Sequence, residues 1–186
     1  MQQQVENLIA NYSASIEKLG LHFYTRDPNQ DLKLVQWYMR LVETGDLDHL
    51  ISKDSHRLYP FLTIFQDAFL VYTEDSKGRI NFAAWFVPSA PADYTSPPYV
   101  GVWLSDVKGS KHSLDCIYII YSMAFEIWPS LLGFTWQPEH LEIHRKLGYN
   151  IIGSIPNYQG RSIMHIVHLT KEDFEGSRLA RAALRR

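Results

Sequence analysis

Two histidines four residues apart, His140 and His144, follow Pro138 and are flanked by Glu139 and Glu142. On a helix this spacing puts both imidazoles on one face, where they could hold zinc if a third ligand converged. The sequence offers no identifiable third ligand and lacks the order of the zinc-protease motif, so no metal is expected. His165 and His168 fall on opposite sides of a regular strand and therefore do not pair. Cys116 is the sole cysteine, which excludes an intramolecular disulfide and a cysteine-rich zinc site and suits a reducing compartment. Its apolar neighbours predict an unreactive thiol. Arg178, Arg181, Arg185 and Arg186 gather positive charge near the end of the sequence. They can complement the C-terminus of a short helix, or touch nucleic acid or an acidic partner.

The elements that must position these groups can be read from periodicity. Val5, Leu8, Ile9, Tyr12, Ile16 and Leu19 recur at helical spacing until Gly20, which predicts one amphipathic helix over 4–19. Residues 21–25 read as a strand. A helix capped by Asp31 carries Leu32, Val35, Tyr38, Met39 and Val42 to Thr44, and another is expected over 46–52. Residues 68–73 and 80–87 are strands of a hairpin with a polar turn. Pro88 to Pro98 is a proline-rich loop, and 99–105 resumes as a strand. Ser113 opens a buried helix that Pro129 ends, followed by a strand over 131–136. A helix closing at Gly148 then leads to strands over 150–155 and 161–169. Strand, helix and strand in the middle imply a right-handed crossover and locally parallel strands, with antiparallel hairpins on either side. The fold class is α+β with a mixed sheet.

Composition bounds what such a domain can do. The chain has 186 residues, 46% of them hydrophobic, and a formal charge of −2 with both signs interspersed. A single packed domain follows, with no general attraction for nucleic acid or anionic membrane. No run approaches the roughly 20 apolar residues of a membrane span, and the N-terminus lacks a signal pattern, so a cytoplasmic location is expected. Neither membrane nor nucleic acid is an expected partner. A homodimer remains open.

Gln137, His140, Ile143, His144, Gly148 and Tyr149 follow the register of a known signature: Asn, then three residues on a small residue, then Leu-Tyr-x-x-x-Gly-Phe. This corner resembles the end of the GCN5-related N-acetyltransferase (GNAT) fold, and the resemblance covers roughly 21–169. It implies a mostly antiparallel sheet with a central parallel pair of strands that splay apart to admit acyl-coenzyme A. On this scheme 1–170 is one GNAT-like domain, with 1–20 as an N-terminal helix packed on it and 171–186 as a basic tail.

The resemblance also implies roles for particular residues. Main-chain groups of Trp103, Leu104 and Ser105 would hold the coenzyme A arm, together with Gln137. The turn Lys108, Gly109, Ser110, Lys111, His112 and Ser113 would cradle the pyrophosphate at a helix N-terminus, where free amides and the helix dipole favour anions. Lys111 stands where the family has its middle glycine, so its side chain could block the phosphate or impose another loop geometry. Ser113 could act as N-cap. His144 takes the place of a tyrosine that protonates the leaving thiolate, a task an imidazole can perform near neutral pH. Asp106, or a water chain ending at Tyr99 or Ser105, would accept the amine proton. Glu139 is a further possibility. Tyr94 and Trp85 would line the acceptor pocket. The reaction implied is acyl transfer, most simply of acetyl from acetyl-coenzyme A, to a primary amine of a small molecule or protein. The alternative is a GNAT-like scaffold that binds or assembles without catalysis.

Overall fold

The computed structural model describes residues 2–44, 68–88, 96–105, 111–135, 138–157 and 163–184. Among them are seven helices and seven strands: α1 (Gln2–Asn11), α2 (Ser13–Leu19), β1 (Leu21–Phe23), α3 (Pro28–Thr44), β2 (Phe69–Glu74), β3 (Ile80–Val87), β4 (Tyr99–Ser105), α4 (Lys111–Ile127), β5 (Ser130–Thr135), α5 (Pro138–Leu147), β6 (Asn150–Pro156), β7 (Ile163–Thr170), α6 (Lys171–Glu175) and α7 (Arg178–Leu184). The helix expected over 46–52 lies outside the described residues.

One sheet holds all seven strands in the order β1-β2-β3-β4-β5-β7-β6. Every neighbouring pair is antiparallel except β4 and β5, which are parallel. Strands β2 and β3 are buried on both faces, which is why their sequences are nearly continuous apolar runs instead of alternating ones. Phe69, Val71, Phe82, Ala84 and Phe86 face a core shared with Cys116, Ile117, Ile120, Tyr121 and Trp128 of the α4 segment. Leu70, Tyr72, Ala83 and Trp85 face a second core with Leu34, Trp37, Tyr38 and Leu41 of α3.

Local chemistry moves several boundaries. The single N-terminal helix expected over 4–19 is two helices joined at Tyr12 (φ −108°, ψ 13°), and Gly20 caps the second in the left-handed region. Helix α3 starts before Asp31. Asp27 Oδ1 accepts the Asn29 N–H at 2.8 Å, its carbonyl accepts the Asp31 N–H, and Pro28 takes the first helical position, where a missing N–H costs nothing. Asp31 instead accepts a hydrogen bond from the Tyr24 hydroxyl. Ser113 is likewise not a cap, because α4 already begins at Lys111. Residues 171–184 pack on the body: Phe174 and Ala180 are buried, and Phe174 stacks against Tyr118.

The α5–β6 corner has the strictest steric requirement. Gly148 has φ +96°, and a Cβ there would lie 2.4 Å from the Asp173 carbonyl oxygen, a backbone atom that cannot swing away. Gly20 has φ +62°, but nothing lies within 4 Å of the point its Cβ would occupy. We expect Gly148→Ala to cost about 3 kcal/mol or more and Gly20→Ala only about 1 kcal/mol in urea unfolding. Equal losses would refute the packing assigned to this corner.

Candidate active site

The centre of the sheet is where the strands stop pairing. Strand β4 is in register with β3 over most of its length, but with β5 at one position only among the described residues, Tyr99 opposite Leu132. One further bond, from the Leu132 N–H to the Pro98 carbonyl at 3.1 Å, marks the same spot. Strand β5 meanwhile pairs with β7 from Ser130 to Thr135. Beyond Tyr99, the β5 side of β4 therefore has no registered partner strand among the described residues.

Strand β4 also carries a bulge. Ala84 faces Trp103 and Phe86 faces Val100, so Gly101 and Val102 together oppose Trp85. An extra residue in one strand leaves main-chain groups out of the ladder and bends the strand locally.

Across the junction stands β5, with His144 of α5 against its buried face. Leu131, Gly133 and Thr135 occupy the buried face of β5. Gly133 packs against Val167 of β7 and the imidazole of His144: a Cβ at that position would lie a tight 3.2 Å from Val167 Cγ2 and an ordinary 3.8 Å from His144 Nε2. The His144 Nδ1 is 2.7 Å from the carbonyl oxygen of His140. A carbonyl only accepts, so Nδ1 carries the proton. Burial pushes the His144 pKa below its ordinary 6.5; the bond to the His140 carbonyl opposes this, and the His140 charge adds to it. The ring is therefore neutral at pH 7 with its lone pair on Nε2. In this state the imidazole carries no proton at Nε2, the form opposite to that of the proton donor expected from the sequence.

Tyr149 meets the His144 ring edge-on at 4.8 Å, and its hydroxyl lies 3.2 Å from that of Tyr121. Burial raises both phenols, Tyr121 to about 12 and Tyr149 well above 10, so both stay protonated. Thr135 is 3% exposed, and its hydroxyl has no hydrogen-bond partner among the described residues. A buried hydroxyl left unpaired costs roughly 1–3 kcal/mol, which is unusual unless a ligand or water satisfies it.

The remaining candidates divide between this junction and other places. Tyr99 lies at the junction, and Trp103, Leu104 and Ser105 lie on the part of β4 past it, paired with Ala84, Ala83 and Phe82. Lys111 is the first residue of α4. His112 is exposed, with Nε2 3.6 Å from Cys116 Sγ, and Ser113 is buried in the first turn. Burial, then the charge of Asp115, pushes the Cys116 thiol up to about 12, which agrees with the inert role read from its neighbours. Trp85 belongs to the core beneath α3, because strand alternation turns it the same way as Ala83. It is a packing residue there. Tyr94, Asp106, Lys108, Gly109, Ser110 and Gln137 lie outside the described residues. No three His, Cys, Asp or Glu side chains converge among the described residues as a metal site would require, and no helix among them is long and apolar enough to cross a membrane.

Sequence reasoning missed Thr135 and the β4 bulge. Thr135 could have been found as the polar residue on the inward side of an otherwise apolar alternation. The bulge leaves no signal beyond Gly101. For His144 the pH dependence follows from its depressed pKa. Below about 6.5 the unfolded chain binds this proton more readily than the folded one, so the contribution is complete above that pH and is lost as pH falls through the folded value. We expect His144→Gln to lose less stability than the native protein between pH 7 and pH 5 in thermal unfolding. Identical losses would remove His144 as the titrating group.

No family model matches the chain, and no curated protein does. Solved structures do. A GCN5-related N-acetyltransferase from Brucella melitensis superposes with a TM-score of 0.63 at 10% identity, covering 89% of this chain and 81% of that one. The ribosomal-protein-S5-alanine acetyltransferase of Vibrio fischeri gives 0.60 at 13% identity, covering 83% and 95%. An aminoglycoside 6'-N-acetyltransferase complexed with coenzyme A gives 0.54 at 15% identity, covering 81% and 96%. With the strand order and the open centre already described, these likenesses establish that the chain has the fold of the GCN5-related N-acetyltransferases.

Proposed function

We propose that this protein transfers an acyl group, most simply acetyl, from acyl-coenzyme A to a primary amine. The observation that carries the reading is the single registered pair between β4 and β5 among the described residues, which leaves the β5 side of β4 without a partner strand beyond Tyr99. An extended pantetheine arm has the shape and amide spacing to take the place of the missing strand. The unpaired side of β4, with its bulge at Gly101 and Val102, supplies main-chain donors and acceptors to it. Thr135 Oγ1 fits as a partner on the opposite wall. The N-terminus of α4, which opens at Lys111, is the natural place for the diphosphate.

When bound, acyl-coenzyme A supplies a thioester carbonyl already activated for attack. A neutral amine held beside it attacks that carbon, and main-chain N–H groups of β4 steady the oxyanion that forms. The amine proton must leave and the thiolate must gain one. Neutral His144, with its lone pair on Nε2, is suited to take the first, and can donate to the thiolate only afterwards. Tyr99 and Asp106 offer another path for the amine proton.

Calorimetry with acetyl-coenzyme A tests the reading. A dissociation constant between about 1 µM and 1 mM is expected; no binding of acetyl- or longer acyl-coenzyme A at about 1 mM would end it. Thr135→Val should weaken that binding while leaving the fold as stable or up to about 1 kcal/mol more stable, since it removes an unpaired buried hydroxyl. Unchanged affinity would take Thr135 out of the site. His144→Phe should lower turnover about 100-fold with affinity changed less than about twofold. Acetyl-coenzyme A binding without turnover on any amine would favour the non-catalytic binding module, for which Lys111 in place of a glycine is the supporting feature.

A further inference from the structure

The last strand of the sheet is unusually bare. Among the described residues β6 pairs only with β7, so its outer edge presents unpaired main-chain N–H and C=O groups. Such edges are normally guarded by charged side chains, since they invite another strand. The seven residues of β6 contain no charge at all, and six of the seven are exposed. Ile151, Ile152 and Ile155 on β6 are 44%, 60% and 38% exposed, and Ile163, at the start of β7 beside Pro156, is 44% exposed.

We infer that β6 is a self-association edge, where a second copy of this chain adds its own β6 antiparallel about a two-fold axis. Three features select a second copy over an unrelated strand. A two-fold pairing brings a strand against itself in reverse, so any charge near the axis would meet its like, and β6 has none to oppose. The isoleucines lie on both sides of the strand: Ile151 stands opposite Val167, and the bulge between Ile151 and Gly153 turns Ile155, opposite Met164, to the other face. Each face of a continued sheet would therefore bury apolar side chains. The opposite edge of the sheet, β1, is only three residues long. Head-to-tail growth from β6 onto β1 thus has little to grip, and the symmetric pair closes. Pro156 and the bulge at Ile152 confine the seam to one strand of about 23 Å at the usual strand rise. That places the contact at the small end of specific interfaces, so the dimer is a concentration-dependent one. The inference is independent of the acyl-transfer reading.

Sedimentation velocity on the native protein from about 5 to 500 µM, with amide hydrogen exchange at both ends of the range, tests it. The dimer fraction should rise at least severalfold, and β6 amides should exchange about tenfold more slowly at high concentration. Ile152→Lys replaces the most exposed isoleucine of the strand and should keep the native melting temperature while remaining monomeric throughout. A native protein monomeric at 500 µM overturns the inference. So does a dimer that survives Ile152→Lys, or one whose β6 amides exchange equally at both concentrations.

Discussion

The sheet is two half-sheets held together by very little of its own hydrogen bonding, and the fold depends on what bridges them. The bridge is α4. Tyr121 packs its ring 5.5 Å from Phe86 of β3 on one side, and 6.4 Å from Tyr149 and 5.7 Å from Phe174 on the other. Trp128, just past the helix, stacks on Phe86 and meets Phe69 edge-on. Aromatic contacts of this kind add to an already large apolar burial, so one helix can fix the relation of two sheets without a ladder between them. The opening is therefore a consequence of packing: pairing lost between β4 and β5 is compensated in the layer below.

The same layer sets the chemistry available at the opening. Of the residues that bridge the halves, Tyr149 meets the His144 ring and Tyr121 meets Tyr149, and the burial that makes them good packing groups also keeps the imidazole neutral and the phenols protonated. Structural and reactive demands converge on the backbone bond from His144 to His140, which selects the tautomer. The consequence is that His144, Tyr121 and Tyr149 are all uncharged at neutral pH, which suits the proposed reaction, whose nucleophile must itself be a neutral amine.

Much of this arrangement is legible in the residues. Gly148 marks the α5–β6 corner, and its positive φ and its contact with Asp173 explain why no other residue fits. The hairpin of β2 and β3, the position of β4 and the apolar α4 all follow from periodicity, and the helix-to-strand signature leads to the fold. What stays hidden is governed by relations between distant residues. Tyr12 interrupts the first helix although the apolar spacing continues through it. Asp27 outcompetes Asp31 as a cap because Pro28 follows it, while Asp31 is held by Tyr24. Trp85 escapes a sequence-based assignment because a strand buried on both faces carries no alternation to say which way an aromatic turns. The protonation of His144 depends on a carbonyl four residues away and on the depth of its burial, neither of which can be read from residue type.

Amide exchange of β4, measured residue by residue in the free protein and with acetyl-coenzyme A, tests the central claim most directly. If the opening beside β4 is the acyl-coenzyme A site, amides of β4 that are not bonded to β3 exchange quickly in the free protein and slow by about tenfold or more on binding. Slow exchange along all of β4 before any ligand is added would contradict the account, as would binding that leaves those amides unchanged.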